Sequence, residues 1–326
     1  MASPSRGDFD RARRLGVVVL TPDDPGYPPL LKGTADPPGV LYMRGGISAD
    51  DRLAIAVVGA RRATPHGLEL ARGIGADLAR AGFTVVSGLA RGIDAAAHRG
   101  ALEGGGRTVA VLGSGIDRIY PEEHEALARS IAQRGALVSE RAPGDAPLAA
   151  HFPQRNRIIA GMAWATVVVE GTHNSGSLIT ANLALEEGRL VFAVPGNVGE
   201  PNAEGTNALL RSGAHCCRGA GDVLEDLGPM IVETAAQVAA ARRPSADAGA
   251  AVRNGDGVSG TPSAGADTSP DERAVIAALA RTRGKDAEAI GRATGLAPQA
   301  LSVALLGLEL RGIVATSPGP RYFLKA

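Results

Sequence analysis

A doubly wound α/β fold with a small helical module behind it is what the 326-residue sequence predicts. Three observations carry that expectation. From residue 53 short β-branched runs alternate with longer helical segments; a tract near residues 233–270 has scarcely any large apolar residue; and three short helical patterns with an alternating tail follow it. Alternation of strand and helix marks a parallel sheet covered on both faces by its crossover helices.

Residues 1–15 read as a mobile or briefly helical lead, and Val17-Val18-Val19-Leu20 as a strand. The stretch through Tyr27-Pro28-Pro29-Leu30-Leu31 and Pro37-Pro38-Gly39-Val40-Leu41-Tyr42 is too proline-rich for regular helix. Residues 1–52 are therefore expected to form a lead and an extended arm packed on the core. Strands are expected at Ala54–Val58, Thr84–Ser87, Thr108–Leu112, Ala136–Ser139, Thr166–Val169 and Leu190–Val194, with helices near 66–81, 93–103, 122–134, 177–187 and 205–212. Together they make an extended Rossmann-like, mostly parallel sheet over residues 53–228.

The Ala, Gly, Ser, Pro and Asp of residues 229–269 leave little to bury, as in a flexible linker. Asp271–Ala280, Ala287–Thr294 and Pro298–Leu310 then read as helices, with Ser269 or Pro270 opening the first and Gly295 closing the second. The ending from Gly312 to Leu324 alternates like a hairpin around a Pro-Gly turn. Residues 270–326 thus suggest a winged-helix module, an arrangement that presents its third helix to duplex DNA. Here Gln299 and Ser302 are polar and most of Ala300–Leu310 is apolar, which favours a protein-contact or vestigial role.

The formal net charge is +0, so nucleic-acid binding requires a local patch rather than a basic whole. Lysine occurs only at Lys32, Lys285 and Lys325; the remaining cations are arginines, suited to planar phosphate contacts. Adjacent Cys216 and Cys217 provide neither a disulfide framework nor metal-ligand spacing. No apolar run reaches membrane-spanning length and no signal peptide is visible, so a soluble, cytoplasmic protein is expected.

The first core strand ends in Gly59-Ala60-Arg61-Arg62-Ala63-Thr64-Pro65, where Thr64 can cap a helix that Pro65 starts. This is not the G-x-G-x-x-G fingerprint. The second ends in Ser87-Gly88-Leu89-Ala90-Arg91-Gly92-Ile93-Asp94 and the third in Gly113-Ser114-Gly115. Three successive strands thus deliver glycines or arginines to the carboxyl edge, where open α/β sheets bind ligands. After the fourth strand, His151-Phe152-Pro153-Gln154-Arg155-Asn156-Arg157-Ile158-Ile159 sets an aromatic, two arginines and an asparagine ahead of an apolar helix. A ring with neighbouring guanidiniums is how single strands are held, by stacking and by phosphate contact; a buried anchor is the other reading of Phe152.

Glu170, at the fifth strand's end, is either an acid or base or the orienter of an arginine, and Asn174-Ser175-Gly176-Ser177-Leu178-Ile179-Thr180 is a plausible phosphate cradle. Pro195-Gly196-Asn197 closes the sixth strand in the same region. Walker, H-E-x-x-H and G-x-S-x-G motifs are missing. Asp94 and His98, at i and i+4, read as a helix-stabilising contact without a nucleophile. Binding without catalysis, metal or cofactor is the expectation.

These residues together resemble the DNA-processing A (Smf) family. The resemblance rests on Tyr27-Pro28, Val58–Arg61, Ser87–Asp94, Gly113–Gly115, Tyr120-Pro121, Ser139-Glu140, Phe152–Ile159, Ser175–Thr180 and Pro195-Gly196, across residues 17–215. It implies a Rossmann domain that binds single-stranded DNA, forms a homodimer, protects incoming strands in natural transformation and helps load the RecA recombinase. The DNA-binding set so assembled is Gly59, Arg61, Ser87, Gly88, Arg91, Gly92, Gly113, Gly115, Phe152, Arg155, Asn156, Arg157, Ser175, Gly176 and Ser177. Arg61→Ala or Arg155→Ala is expected to weaken oligo-dT binding in a salt-dependent way while the fold survives. Two departures stand out: Ala60 replaces the family's usual serine, and the helical N-terminal module of many relatives is absent or reduced to residues 1–15.

Two alternatives stay open on sequence. One is a nucleotide or phosphoribosyl hydrolase using Glu170 and the Ser175–Thr180 cradle; the other is a ligand sensor with the winged helix as its output.

Overall fold

The computed structural model describes residues 5–228, 231, 269–280, 285–296, 298–311, 313–317 and 321–324. The expected linker, apart from Ile231 and Ser269, and the expected Pro-Gly turn lie outside them. Two compact units result, Met1–Leu227 and Gly228–Ala326.

In the first unit the lead forms α1 (Arg6–Arg14), opened by Ser5, whose hydroxyl accepts from the Asp8 N–H in a capping box. Next come β1 (Val18–Leu20), α2 (Pro29–Lys32), β2 (Leu41–Gly45), β3 (Ala54–Val58), α3 (Pro65–Arg80), β4 (Thr84–Ser87) and α4 (Ile93–Glu103). The chain continues as β5 (Thr108–Leu112), α5 (Glu125–Arg134), β6 (Ala136–Ser139), α6 (His151–Gly161), β7 (Ala165–Val168), α7 (Gly176–Glu186), β8 (Leu190–Ala193), α8 (Pro201–Arg211) and β9 (His215–Cys216).

The strands assemble in the order β1-β2-β6-β5-β4-β3-β7-β8-β9. β1, β2 and β6 pair antiparallel and the rest are parallel. All five residues of β3 are buried, as a central strand covered on both faces requires. From β3 the chain winds to one side through β4, β5 and β6, and from β7 to the other through β8 and β9. The reversal between β3 and β7 opens a crevice at the strands' carboxyl ends.

The arm does more than pack on the core: β2 joins β6 with Met43 opposite Val138 and carries the expected strand β1 into the sheet, which with β9 has nine strands where six were expected in the core. Its proline-rich part also holds one helical turn, α2, because Pro29 sits at the first helical position, where its missing N–H costs no hydrogen bond. Two residues are too few for β9 to register as a pattern. Among the described residues no helix is long and apolar enough to cross a membrane.

Behind the edge lies a buried imidazole. The Thr108 hydroxyl donates to Val85 O at 2.7 Å, so His98 Nδ1, 2.6 Å from that oxygen, is the donor between them. Asp94 points elsewhere, which corrects the expected Asp94–His98 contact. Burial, then His124, Arg155 and Arg99, pulls the His98 pKa down to about 3 from an ordinary 6.5. A neutral folded imidazole contributes stability above pH 6.5 that is lost progressively as pH falls toward 3. Between pH 6.5 and 5 the first unit is expected to lose about 1–2 kcal/mol from this group alone. Urea unfolding at the two pH values, with His98→Leu as the comparison that lacks the difference, checks it.

The second unit packs three helices, Pro270–Leu279, Ala287–Thr294 and Pro298–Leu310, with a sheet of order β10-β12-β11 (Lys285–Asp286, Arg321–Leu324, Val314–Ser317). Ser269 and Glu272 form a capping box, and Gly295 ends the second helix at φ +69°. Val275, Leu279, Ile290, Leu301, Leu305, Leu308 and Val314 make its core. This is a winged-helix unit.

Candidate nucleic-acid interface

The loop after β3 is anchored from behind. Thr64 caps α3, its hydroxyl accepting from Gly67 N–H at 3.0 Å. Glu170 then accepts from the Thr64 amide at 2.9 Å, the Thr64 hydroxyl at 2.5 Å and the Asn202 side chain at 3.2 Å. Its carboxylate ties α3 to β7 and orients no arginine, which corrects one of the two expected roles and leaves the hydrolase alternative without a free acid–base. With the loop so fixed, Arg61 projects outward, exposed, with its guanidinium carbon 5.4 Å from the Phe152 ring centroid. It has no ion-pair or hydrogen-bond partner among the described residues.

The turn after β4 is wound too tightly for side chains. Gly92 has φ +75° and ψ −127°, and a Cβ there would lie 2.1 Å from Ala60 O. Asp94, buried under the turn, accepts from Gly88 N–H at 3.1 Å and Ala90 N–H at 3.4 Å. Arg155 reaches the same place from α6, donating to Gly88 O at 2.7 Å and to Val111 O. A Cβ on Gly88 would stand 2.5 Å from Arg155 Nη2 and 2.7 Å from Asp94 Oδ2, so glycine is what lets the two side chains lie close beneath the backbone.

Burial raises the Asp94 pKa, opposed by Arg155 and the two backbone amides, and lowers that of Arg155 to about 10, opposed by Asp94. Only 6% exposed and donating to two carbonyls, Arg155 is a clamp joining the turn to β5. The structure thus gives it a bracing role beneath the site where a DNA contact was expected. Ser87, also buried, donates to Val57 O at 2.6 Å. Arg91 forms a two-bond pair with Glu123 at 2.7 Å, both side chains about half exposed, an arrangement that solvent screens and that adds little stability.

Gly113 at the end of β5 leaves room for Phe152, whose Cδ1 would be 2.9 Å from any Cβ there. Phe152, Arg155, Asn156 and Arg157 belong to α6 itself rather than to a loop before it. Asn156 donates to Gly176 O at 3.2 Å, linking α6 to the α7 N-terminus, where Ser175 accepts from Ser177 N–H at 3.3 Å. Arg61, Gly88, Gly113, Phe152, Arg155, Asn156 and Gly176 therefore form one contiguous cluster. Arg157 instead turns to Glu140 at 2.5 Å and Asp36 at 3.1 Å, and Gly115 abuts Ala142 O, a Cβ there lying 2.5 Å away. One residue was missed: Tyr120, its ring 5.6 Å from that of Phe152. Its signal was an aromatic seven residues past Gly113 in a loop of the same edge.

Among the described residues no His, Cys, Asp and Glu group is arranged to hold a metal. A cavity of about 440 Å³ lies beyond Thr64, lined by Glu170, Glu200, Asn197 and His66 over Val169, Val194 and Ala203. Its carboxylates make it a poor home for phosphate. What the Arg61 cluster can do is hold an anionic, aromatic-bearing chain against a glycine-lined edge.

Comparison with known proteins agrees with that chemistry. The model of the DNA recombination-mediator protein A family matches residues 18–228, and that of the DprA winged helix domain matches 259–320. Protein Smf of Escherichia coli (strain K12) is 44% identical over 210 residues, 64% of this chain and 56% of the relative, so the match spans just over half of that protein. DNA processing protein DprA of Bacillus subtilis (strain 168) is 40% identical over 216 residues, 66% of this chain and 73% of the relative. The X-ray structure of DprA from Streptococcus pneumoniae superposes with TM-score 0.64 at 36% identity, over 68% of this chain and 78% of that one. DNA processing protein A from Helicobacter pylori, described for its single-stranded DNA binding mode, gives 0.59 at 28%, over 66% and 96%. The chain belongs to the DNA recombination-mediator protein A family.

Proposed function

We propose that this chain is a recombination mediator that binds single-stranded DNA along the carboxyl edge of β3, β4 and β5. The carrying observation is Arg61, exposed and without an ion-pair partner among the described residues, poised over Phe152 beside a turn of glycines. An outward guanidinium meets phosphate, the aromatic surface beside it takes a base, and the glycines admit the strand closely. The proposed DNA-binding set is Gly59, Arg61, Gly88, Arg91, Gly92, Gly113, Phe152, Asn156, Ser175, Gly176 and Ser177, with Arg155 and Ser87 as its internal supports.

Resemblance to the family supports a homodimer that delivers strands to the RecA recombinase, with residues 53–228 as the DNA-binding domain and 270–326 as an accessory. Two pockets on one dimer would raise the avidity for a single strand. The third helix of the winged-helix unit has no Lys or Arg between Pro298 and Leu310, which favours a protein contact over duplex reading.

Filter binding of oligo-dT across a salt series tests the site. Arg61→Ala is expected to weaken binding by about tenfold or more at low salt and to reduce the slope of log K against log salt by about 0.7. Unchanged affinity and slope would remove Arg61 from the interface.

A further inference from the structure

We propose that Tyr120, rather than Phe152 alone, presents the ring face on which a base of the bound strand stacks, with Arg61 and Arg91 taking the neighbouring phosphates. This rests on the single-strand reading above and adds a second aromatic to it.

Exposure decides between the rings. Phe152 is half-buried, lying against the Gly113 backbone, with Arg61 at 5.4 Å and Arg155 at 6.0 Å from its centroid. Much of its surface is already engaged. Tyr120 is 41% exposed and meets Phe152 at 5.6 Å with the ring planes tilted by 46°. Such a tilted pair leaves the outer ring's far face open while the inner ring holds it in place. The platform is thus a supported one: Phe152 is the underlay and Tyr120 the surface offered to a base.

Charge accompanies the rings. Arg91 follows β4, its charge favoured by Glu123 and, more weakly, by the Tyr120 hydroxyl. Because the Arg91–Glu123 pair is half exposed, a phosphate can replace Glu123 at little cost. A base on Tyr120 therefore has two guanidiniums for the phosphates near it, Arg61 after β3 and Arg91 after β4.

The test uses the full chain with an oligo-dT carrying one iodouracil at successive positions, photocrosslinked and mapped by peptide mass, beside binding of Tyr120→Ala and Tyr120→Phe. Expected are an adduct on Tyr120, a loss of roughly 5- to 150-fold in affinity for Tyr120→Ala, the range for one lost base stack, and affinity within about twofold of wild type for Tyr120→Phe, which keeps the ring. Far-ultraviolet circular dichroism and the melting temperature of Tyr120→Ala separate lost stacking from lost structure. Adducts on Phe152 only, with Tyr120→Ala binding as wild type, overturn the proposal while leaving the single-strand site standing. Absence of any adduct in residues 59–157, together with an unaffected Arg61→Ala, overturns both.

Discussion

Arg155→Ala is expected to destabilise the first unit by about 3–5 kcal/mol, the usual cost of removing one partner from a buried pair of charges. The carboxylate of Asp94 would remain buried, with two amides as donors and only the more weakly acting Arg61 as a neighbouring cation. Gly88 O and Val111 O would also lose their donor. Binding of oligo-dT should fall with the fold and not independently of it, because the guanidinium, on a residue only 6% exposed, braces the turn from beneath. Urea unfolding followed by circular dichroism checks the magnitude; a variant that unfolds like the wild type yet binds poorly would make Arg155 a direct DNA contact after all. Arg155→Lys should recover only part of the stability, since an ammonium on a flexible stem cannot reproduce a planar fork bonded to two carbonyls.

Gly92→Ala should be comparably severe. A residue at φ +75°, ψ −127° is in territory that side chains avoid at a cost of about 1–3 kcal/mol, and the added methyl would lie 2.1 Å from Ala60 O. Since Ile93 N–H donates to the same carbonyl at 3.2 Å, the turn cannot move away without breaking its link to the β3 loop. A total of about 3 kcal/mol or more, a fall in melting temperature of roughly 6–12 °C for a unit of this size, and loss of oligo-dT binding are expected. Gly105→Ala is the control: its φ is +80°, but no atom lies within 4 Å of the new Cβ, so it should lose only the backbone part, about 1 kcal/mol.

The parallel core was readable because strands buried on both faces must be continuous apolar runs, and β3 through β8 are such runs to within one residue. The antiparallel edge was hidden: Leu41–Gly45 follows a proline-rich arm, and its partners β1 and β6 determine that it is a strand. Residue chemistry singled out Arg61 and Phe152 but not the division of labour between Arg155 and Arg157. Two positions apart on a helix, side chains point about 200° from one another, so α6 sends Arg155 under the glycine turn and Arg157 to Glu140 and Asp36. A sequence read as a loop has no such faces, and an arginine's default is the surface. Tyr120, part of the Tyr120-Pro121 motif, was not placed in the site because its partnership with Phe152 crosses more than thirty positions.

The central claim, that a single strand lies along the carboxyl edge of β3, β4 and β5, is tested most directly by hydrogen exchange of the full chain with and without saturating oligo-dT. The account predicts slowed exchange in residues 59–64, 88–92, 113–122 and 151–157, diminished in Arg61→Ala at the same oligonucleotide concentration. Protection confined to residues 269–324, with those four segments unchanged while the oligonucleotide is bound, would contradict it.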